Sequence, residues 1–133
     1  MSAINLNRKV RLLIAAAGVA LAPLALAHHS TAVFDMQKTV EIKGTIKEFQ
    51  WTNPHTWIQL VVTGPDGKVT EWSIEGASPN GLKRQGWKSN VIKSGDKVTV
   101  IISPLRNGDN GGALIMATLP DGTTLGRRAP YTG

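Results

Sequence analysis

Between residues 39 and 51 the chain alternates apolar and polar side chains with a period of two. Apolar residues such as Ile42 and Ile46 fall on one face and charged residues on the other, as in a half-buried β-strand. Gly44 takes an inward position, where a missing side chain lets a strand bend or approach another backbone. The alternation changes phase after Ile46, which predicts a β-bulge at residues 47–48. The chain therefore starts its fold with a long, bent strand.

Turn and cap signals divide the rest of the chain into short elements. Gly64-Pro65-Asp66-Gly67 is a hairpin turn, and Ser78-Pro79 is typical of a helix start. The predicted elements are strands at 39–51, 55–63, 69–75, 97–102 and 113–119, and one helix at 79–85. This is the order of the five-stranded OB barrel, a Greek-key barrel with a short helix between strands three and four. We therefore predict a mainly β, OB-like barrel, with another small β-sandwich or meander as the alternative.

The first 27 residues are typical of a secretory signal peptide. A basic start without acids is followed by an apolar run from residue 12 to 27, which closes on Ala25-Leu26-Ala27. The run is shorter than the roughly 20 residues needed to span a bilayer, so a retained anchor is the less favoured alternative. We predict cleavage after Ala27 and a periplasmic or secreted protein without a membrane span in its mature form. The mature chain then has one domain at 28–126 and a loose tail at 127–133.

The net charge gives little reason to expect a nucleic-acid partner. The formal charge is +6 at pH 7, but Arg8, Lys9 and Arg11 belong to the predicted signal, which leaves +3 on the mature chain. Both signs are interspersed there, and Glu71 and Glu75 fall on the outward face of the third strand, where they repel phosphate. OB barrels often bind single strands, but for this chain we predict no nucleic acid.

The residue patterns that most enzymes need are absent from the sequence. The chain has no cysteine, which removes a thiol nucleophile and any disulfide. No serine lies in a Gly-x-Ser-x-Gly elbow, and the acids are scattered without a spacing that pairs them for acid–base work. We therefore predict a non-catalytic binding or accessory module.

All three histidines lie at the start of the mature chain or in its first loop. Cleavage after Ala27 would free an α-amine on His28, whose imidazole would be joined by those of His29 and His55. Amine and imidazole nitrogens suit Cu(II), with Zn(II) as a second choice. The sequence thus predicts a metal site formed by His28, His29 and His55. The competing interpretation is a polar N-terminus and a His55 that stabilises its own turn.

Two loops have a residue composition that is unusual for loops with a purely structural role. OB barrels bind ligands across strands two and three, between the first loop and the loop joining strands four and five. Here the first loop, at 51–57, holds two tryptophans and a histidine, and the other, at 103–112, is polar and rich in glycine. As the alternative to metal binding, we predict that an unidentified protein or envelope component docks on these loops. The competing interpretation is that the tryptophans are buried in the core. The predicted surface consists of Trp51, Asn53, Trp57 and Arg106.

Several segments of the mature chain also occur together in known sequences. They are His28-His29-Ser30, Gly44-Thr45-Ile46, Trp51-Thr52-Asn53-Pro54-His55-Thr56-Trp57-Ile58, Ser78-Pro79-Asn80, Arg84-Gln85-Gly86-Trp87 and Gly95-Asp96-Lys97-Val98. In these the chain resembles an uncharacterised family, a domain of unknown function, of small exported proteins from Gram-negative bacteria. The resemblance implies export, one compact domain and a role for the histidine start and the Asn-Pro-His loop. It implies no activity.

Overall fold

Strands dominate the part of the chain that the computed structural model describes, residues 32–126. The strands are β1 (Val40–Gln50), β2 (Trp57–Thr63), β3 (Val69–Glu75), β4 (Lys97–Pro104), β5 (Gly111–Thr118) and β6 (Thr124–Gly126), and the helix is α1 (Pro79–Lys83). The predicted signal peptide, the predicted tail, His28 and His29 lie outside the described residues.

The strands close into a barrel. They hydrogen-bond in the order β3-β2-β1-β4-β5-β6, and a parallel pairing of β3 with β5 joins the first five into a ring. This connectivity, with α1 between β3 and β4, is that of the OB barrel, so the predicted fold is confirmed. The closing contact is short, because only residues 73–75 lie beside residues 111–113. We call this contact the seam.

β1 has both irregularities that its sequence predicts. The register with β2 shifts between Ile46 and Glu48, which is the expected bulge. A β-carbon on Gly44 would stand 2.9 Å from the carbonyl oxygen of Val61, so only glycine allows the two backbones to approach this closely. These features let one strand pair with β4 along its first half and with β2 along its second half.

The barrel interior is filled by branched apolar side chains from four strands. Leu60, Ile74, Val100 and Ile102 are fully buried, and Trp87, which follows α1, is 1% exposed. Burying one such side chain contributes about 1.5–3 kcal/mol. A chain without cysteine thus obtains its stability from this core.

The loop between β4 and β5 is shorter than predicted. It covers residues 105–110 rather than 103–112, because both strands continue into it. Pro104 pairs with Gly112 in the ladder, and a β-carbon on Gly112 would collide with the carbonyl oxygen of Ser103. Glycine here marks a close approach of two strands and not a loop.

Other boundaries shift by one or two residues. The first strand ends at Gln50 rather than residue 51, and β2 begins at Trp57 rather than residue 55. The helix has the predicted cap, since Ser78 Oγ accepts a hydrogen bond from the Gly81 amide at 3.2 Å. It ends at residue 83 because Gly86, with φ of 88°, turns the chain out of the helical path.

Candidate functional site

His55 and Glu75 lie in close contact on the outside of the barrel. Glu75 ends β3 and pairs with Trp57, the first residue of β2. The Nδ1 atom of His55 lies 3.1 Å from Oε1 of Glu75 and 3.2 Å from the carbonyl oxygen of Gly76. We call His55, Trp57 and Glu75 the His55 cluster.

The loop that carries the imidazole is fastened on both sides of it. Before it, the Thr52 hydroxyl donates to the carbonyl oxygen of His55 at 3.0 Å. After it, the buried Thr56 hydroxyl donates to the carbonyl oxygen of Ala77 at 2.9 Å. These bonds fix the backbone of residue 55 against the chain that follows β3, so the ring is held where Glu75 reaches it.

The surroundings of His55 determine where its proton sits. Both neighbours of Nδ1 are acceptors, a carboxylate and a carbonyl, so the neutral ring carries its hydrogen on Nδ1 and a lone pair on Nε2. Histidines that bind metals commonly donate the other ring N–H to such an acceptor. The His55 side chain is 41% exposed and that of Glu75 only 16%. The arrangement can therefore offer an oriented nitrogen to a metal ion or a proton.

The described residues do not hold a complete set of metal ligands. Within residues 32–126 no group of three His, Cys, Asp or Glu side chains is close enough together to hold an ion. His55 supplies one imidazole nitrogen, and the other two predicted ligands, His28 and His29, lie outside the described residues.

The other predicted residues of the first loop divide into two environments. Asn53 is exposed and Trp57 is half-buried beside Glu75. Trp51 packs edge-on against Phe49, with ring centroids 5.5 Å apart and planes at 70°. Trp51 thus covers the edge of the core, and the exposed residues of the loop are Thr52, Asn53 and Pro54.

Arg106 has a different set of partners. Its Nε donates to the carbonyl oxygen of Ala32 at 3.1 Å, and its guanidinium lies 4.0 Å from Asp35 Oδ1. Burial opposes ionisation of Asp35, but hydrogen bonds from Lys38 and from the Gln37 amide, with the nearby positive charges, hold its pKa below the ordinary value. Arg106 fastens the segment before β1, and its polar contacts within residues 32–126 do not connect it to the His55 cluster.

Glu75 is the residue that the sequence does not identify as part of this site. Its outward position on β3 is predicted by alternation, but its partner His55 lies in the loop before β2. Only the register that sets Glu75 opposite Trp57 reveals the pairing.

Within the described range no helix is long and apolar enough to span a membrane. The only helix there is α1, at residues 79–83.

A model described as a family of unknown function (DUF6152) matches residues 16–114. The resemblance to an uncharacterised family is thereby confirmed, although this match does not test the histidine start or the Asn-Pro-His loop. No curated protein matches the chain.

Two crystal structures of the mitochondrial single-stranded DNA binding protein Rim1 from S. cerevisiae are similar to this chain. One has a TM-score of 0.46 and 14% identity and covers 62% of this chain and 93% of its own. The other, labelled with selenomethionine, has a TM-score of 0.43 and 13% identity, with coverages of 62% and 92%.

The prediction that excluded nucleic acid is wrong as an exclusion, because proteins with a similar barrel bind single-stranded DNA. One part of its physical basis also changes. Glu71 is ion-paired with Lys47 at 2.7 Å, so its charge is balanced by a lysine of β1.

Proposed function

Since the chain belongs to the DUF6152 family of unknown function, we propose its role from the site: an exported, non-catalytic accessory module that binds a divalent metal ion, copper or zinc. The ligands are the imidazole of His55 and the N-terminal nitrogens of the cleaved chain, at His28 and His29. The observation that carries the proposal is the 3.1 Å contact between His55 Nδ1 and Glu75 Oε1.

The contact supports metal binding in two ways. It orients the ring and leaves the lone pair of Nε2 available. It also places a carboxylate beside Nδ1, an arrangement that is common behind histidines that bind metals.

Export supplies the remaining ligands in this proposal. Removal of residues 1–27 creates an α-amine next to the imidazole of His28. An amine and imidazoles together form a nitrogen-rich set that favours Cu(II) over other divalent ions. In this proposal, the cleavage that removes the signal peptide also completes the metal site.

Calorimetric titration of the processed protein tests the proposal. The chain is produced with its own signal, purified from the periplasm and weighed by mass spectrometry to establish that it begins at His28. We expect one Cu(II) per chain, with Zn(II) weaker, and a loss of affinity of about tenfold or more in His55→Ala. A protein with one glycine added before His28 should lose a similar amount, because its amine no longer forms a chelate with that imidazole.

Gln59→Ala is the matched control, because residue 59 follows Trp57 on the same face of β2 and offers no metal-binding nitrogen. It should bind Cu(II) like the unaltered protein. Unchanged Cu(II) affinity in His55→Ala would show that His55 is not a ligand. The absence of Cu(II) and Zn(II) binding tighter than about millimolar would contradict the proposal.

Docking of a protein or envelope component on the two loops has less support. The large apolar side chains that are most exposed in the described residues are Val33, Met36 and Val69. None of them belongs to residues 51–57 or 105–110. The loops therefore lack the exposed apolar anchor that protein interfaces usually present.

A further inference from the structure

A groove of about 640 Å³ lies on the outside of the barrel where β1 bends. It crosses four strands and is bounded on the β2 side by Val61 and Thr63, at the opposite end of that strand from Trp57. Its volume falls in the range of small-molecule sites, about 300–1,000 Å³. It is separate from the His55 cluster.

The groove has an ordered polar floor. Lys43 of β1 pairs with Thr99 of β4, and Thr99 pairs in turn with Thr118 of β5. In the next row of the sheet, Thr45 pairs with Lys97. All five residues line the groove. Lys43 and Lys97 are diagonal neighbours on one face, whose backbones are about 7–8 Å apart, so two flexible ammonium groups can reach one point between them.

Unlike Lys47 and Lys93, these two lysines have no acidic partner at hydrogen-bond distance, a property that other lysines of the described range, Lys68, Lys83 and Lys88, share. Lys47 lies 2.7 Å from Glu71 and Lys93 lies 2.8 Å from Asp96. Lys43 has only Glu41, at 3.7 Å. Among residues 32–126, Lys97 has no carboxylate within ion-pair distance.

The acid nearest to Lys97 in the sequence is Asp96, and its carboxylate is already bound to another lysine. Both of its carboxylate oxygens bond to Lys93, one to the side chain at 2.8 Å and one to the backbone amide at 3.0 Å. Neighbouring like charges on one face of a sheet are unfavourable, and an anion between Lys43 and Lys97 would relieve the repulsion.

We propose that this groove binds the phosphate group of a small phosphorylated ligand of about the size of a sugar phosphate. Lys43 and Lys97 neutralise the phosphate, since lysine binds phosphate as a point charge. The hydroxyls of Thr45, Thr99 and Thr118 donate hydrogen bonds to it. Val61 and Leu119, which also line the groove, contact the less polar part of the ligand.

Amide chemical-shift titration of the purified, isotope-labelled protein tests this site directly. The probes are inorganic phosphate, glucose 6-phosphate and glucose, at constant ionic strength. We expect saturable shifts at Thr45, Lys97 and Thr99 with both phosphates, tighter binding of the sugar phosphate, and none with glucose. The double variant Lys43→Gln/Lys97→Gln should bind at least about tenfold more weakly, because hydrogen bonds to charged groups are lost.

The matched control is Lys68→Gln/Lys88→Gln, which removes the same charge from two exposed positions outside the groove. It should bind like the unaltered protein, and denaturation with urea establishes that both double variants are folded. Equal losses of affinity in the two double variants would show that net charge alone causes the effect, and would overturn the site. Equal binding of glucose would overturn the role of phosphate, and tighter binding of a short oligothymidylate at the same amides would replace the small ligand by nucleic acid.

Discussion

Thr56 and Gly76 are in direct contact where the chain enters β2 and leaves β3. The Gly76 amide donates to the Thr56 carbonyl oxygen at 2.8 Å, and the Thr56 hydroxyl occupies the space that a β-carbon on residue 76 would need. His55 precedes one of these residues and Glu75 precedes the other. The contact therefore sets the distance between the imidazole and the carboxylate.

Gly76→Ala should destabilise the protein by about 1–3 kcal/mol, as expected for an added methyl in a filled space. The new methyl must push away the Thr56 side chain, which is fully buried. Urea unfolding measures the change. The same variant should bind Cu(II) more weakly, because its carboxylate and imidazole move apart.

The double variant Gly76→Ala/Thr56→Ala is the control for this contact. Removing the hydroxyl makes room for the methyl, so its destabilisation should be smaller than the sum of the two single changes by about 0.5–3 kcal/mol. Additive effects would show that the two residues do not compete for the same space.

Glu75→Gln should weaken Cu(II) binding about 10- to 100-fold, because a glutamine lacks the negative charge that Glu75 places beside the ligating imidazole. Glu71→Gln is the matched control: it lies on the same face of β3 and pairs with Lys47, away from His55. Its Cu(II) affinity should be unchanged, and equal losses in both variants would point to net charge instead of the His55–Glu75 contact.

Stability should fall with acid in a range set by the aspartates whose pKa is lowered in the folded protein, which are Asp35, Asp96 and Asp121. The side-chain and backbone hydrogen bonds from Lys93 lower the pKa of Asp96 from its ordinary 3.8. The Thr123 amide, which donates at 2.8 Å, lowers the pKa of Asp121 in the same way. A carboxylate whose pKa is lower in the folded state stabilises the fold above its unfolded pKa, and this contribution is lost as the pH falls through the folded pKa.

Urea midpoints measured at about pH 5 and about pH 3 test this. The fall in midpoint between the two should be smaller in Asp96→Asn than in the unaltered protein. Lys93→Gln should reduce it as well, because it removes the main cause of the lowered pKa. An identical fall in all three proteins would assign the acid sensitivity to other groups.

Leu60→Ala should destabilise the barrel by about 2–5 kcal/mol. Its side chain is 0% exposed and lies in the centre of β2. Val69→Ala, at a position that is 59% exposed, should change stability by no more than about 0.5 kcal/mol. Thermal or urea unfolding measures the change in stability of both variants. Similar losses of stability would contradict the assignment of Leu60 to the core.

Much of the fold follows from local patterns in the sequence. The period of two locates β1, β2 and β3, and the serine–proline pair at 78–79 locates the helix start. The ends of β4 and β5 could not be predicted, because Pro104 and Gly112 are turn signals in isolation. In the fold they pair with each other, and Gly112 also lies beside Ile74 of β3, a neighbour that is distant in sequence.

The site was predictable in part. The loop composition identified His55 and Trp57, which lie together, and Trp51, which packs on Phe49 at the edge of the core. Glu75 cannot be recognised as a partner from the sequence, because its contact depends on the register of β2 with β3. Analogy with other OB barrels groups Arg106 with the first loop, whereas its contacts are with Ala32 and Asp35.

The seam joins β3 to β5 through three residue pairs, and its last pair is Glu75 with Ala113. The residue that steadies the imidazole is thus also one of the few that hold the ring of strands shut. A ligand on His55 that restrains Glu75 also restrains this joint. Amide hydrogens at residues 111–113 would then exchange more slowly with solvent water when the ligand is bound, so closure of the barrel would report occupancy of a site on its surface.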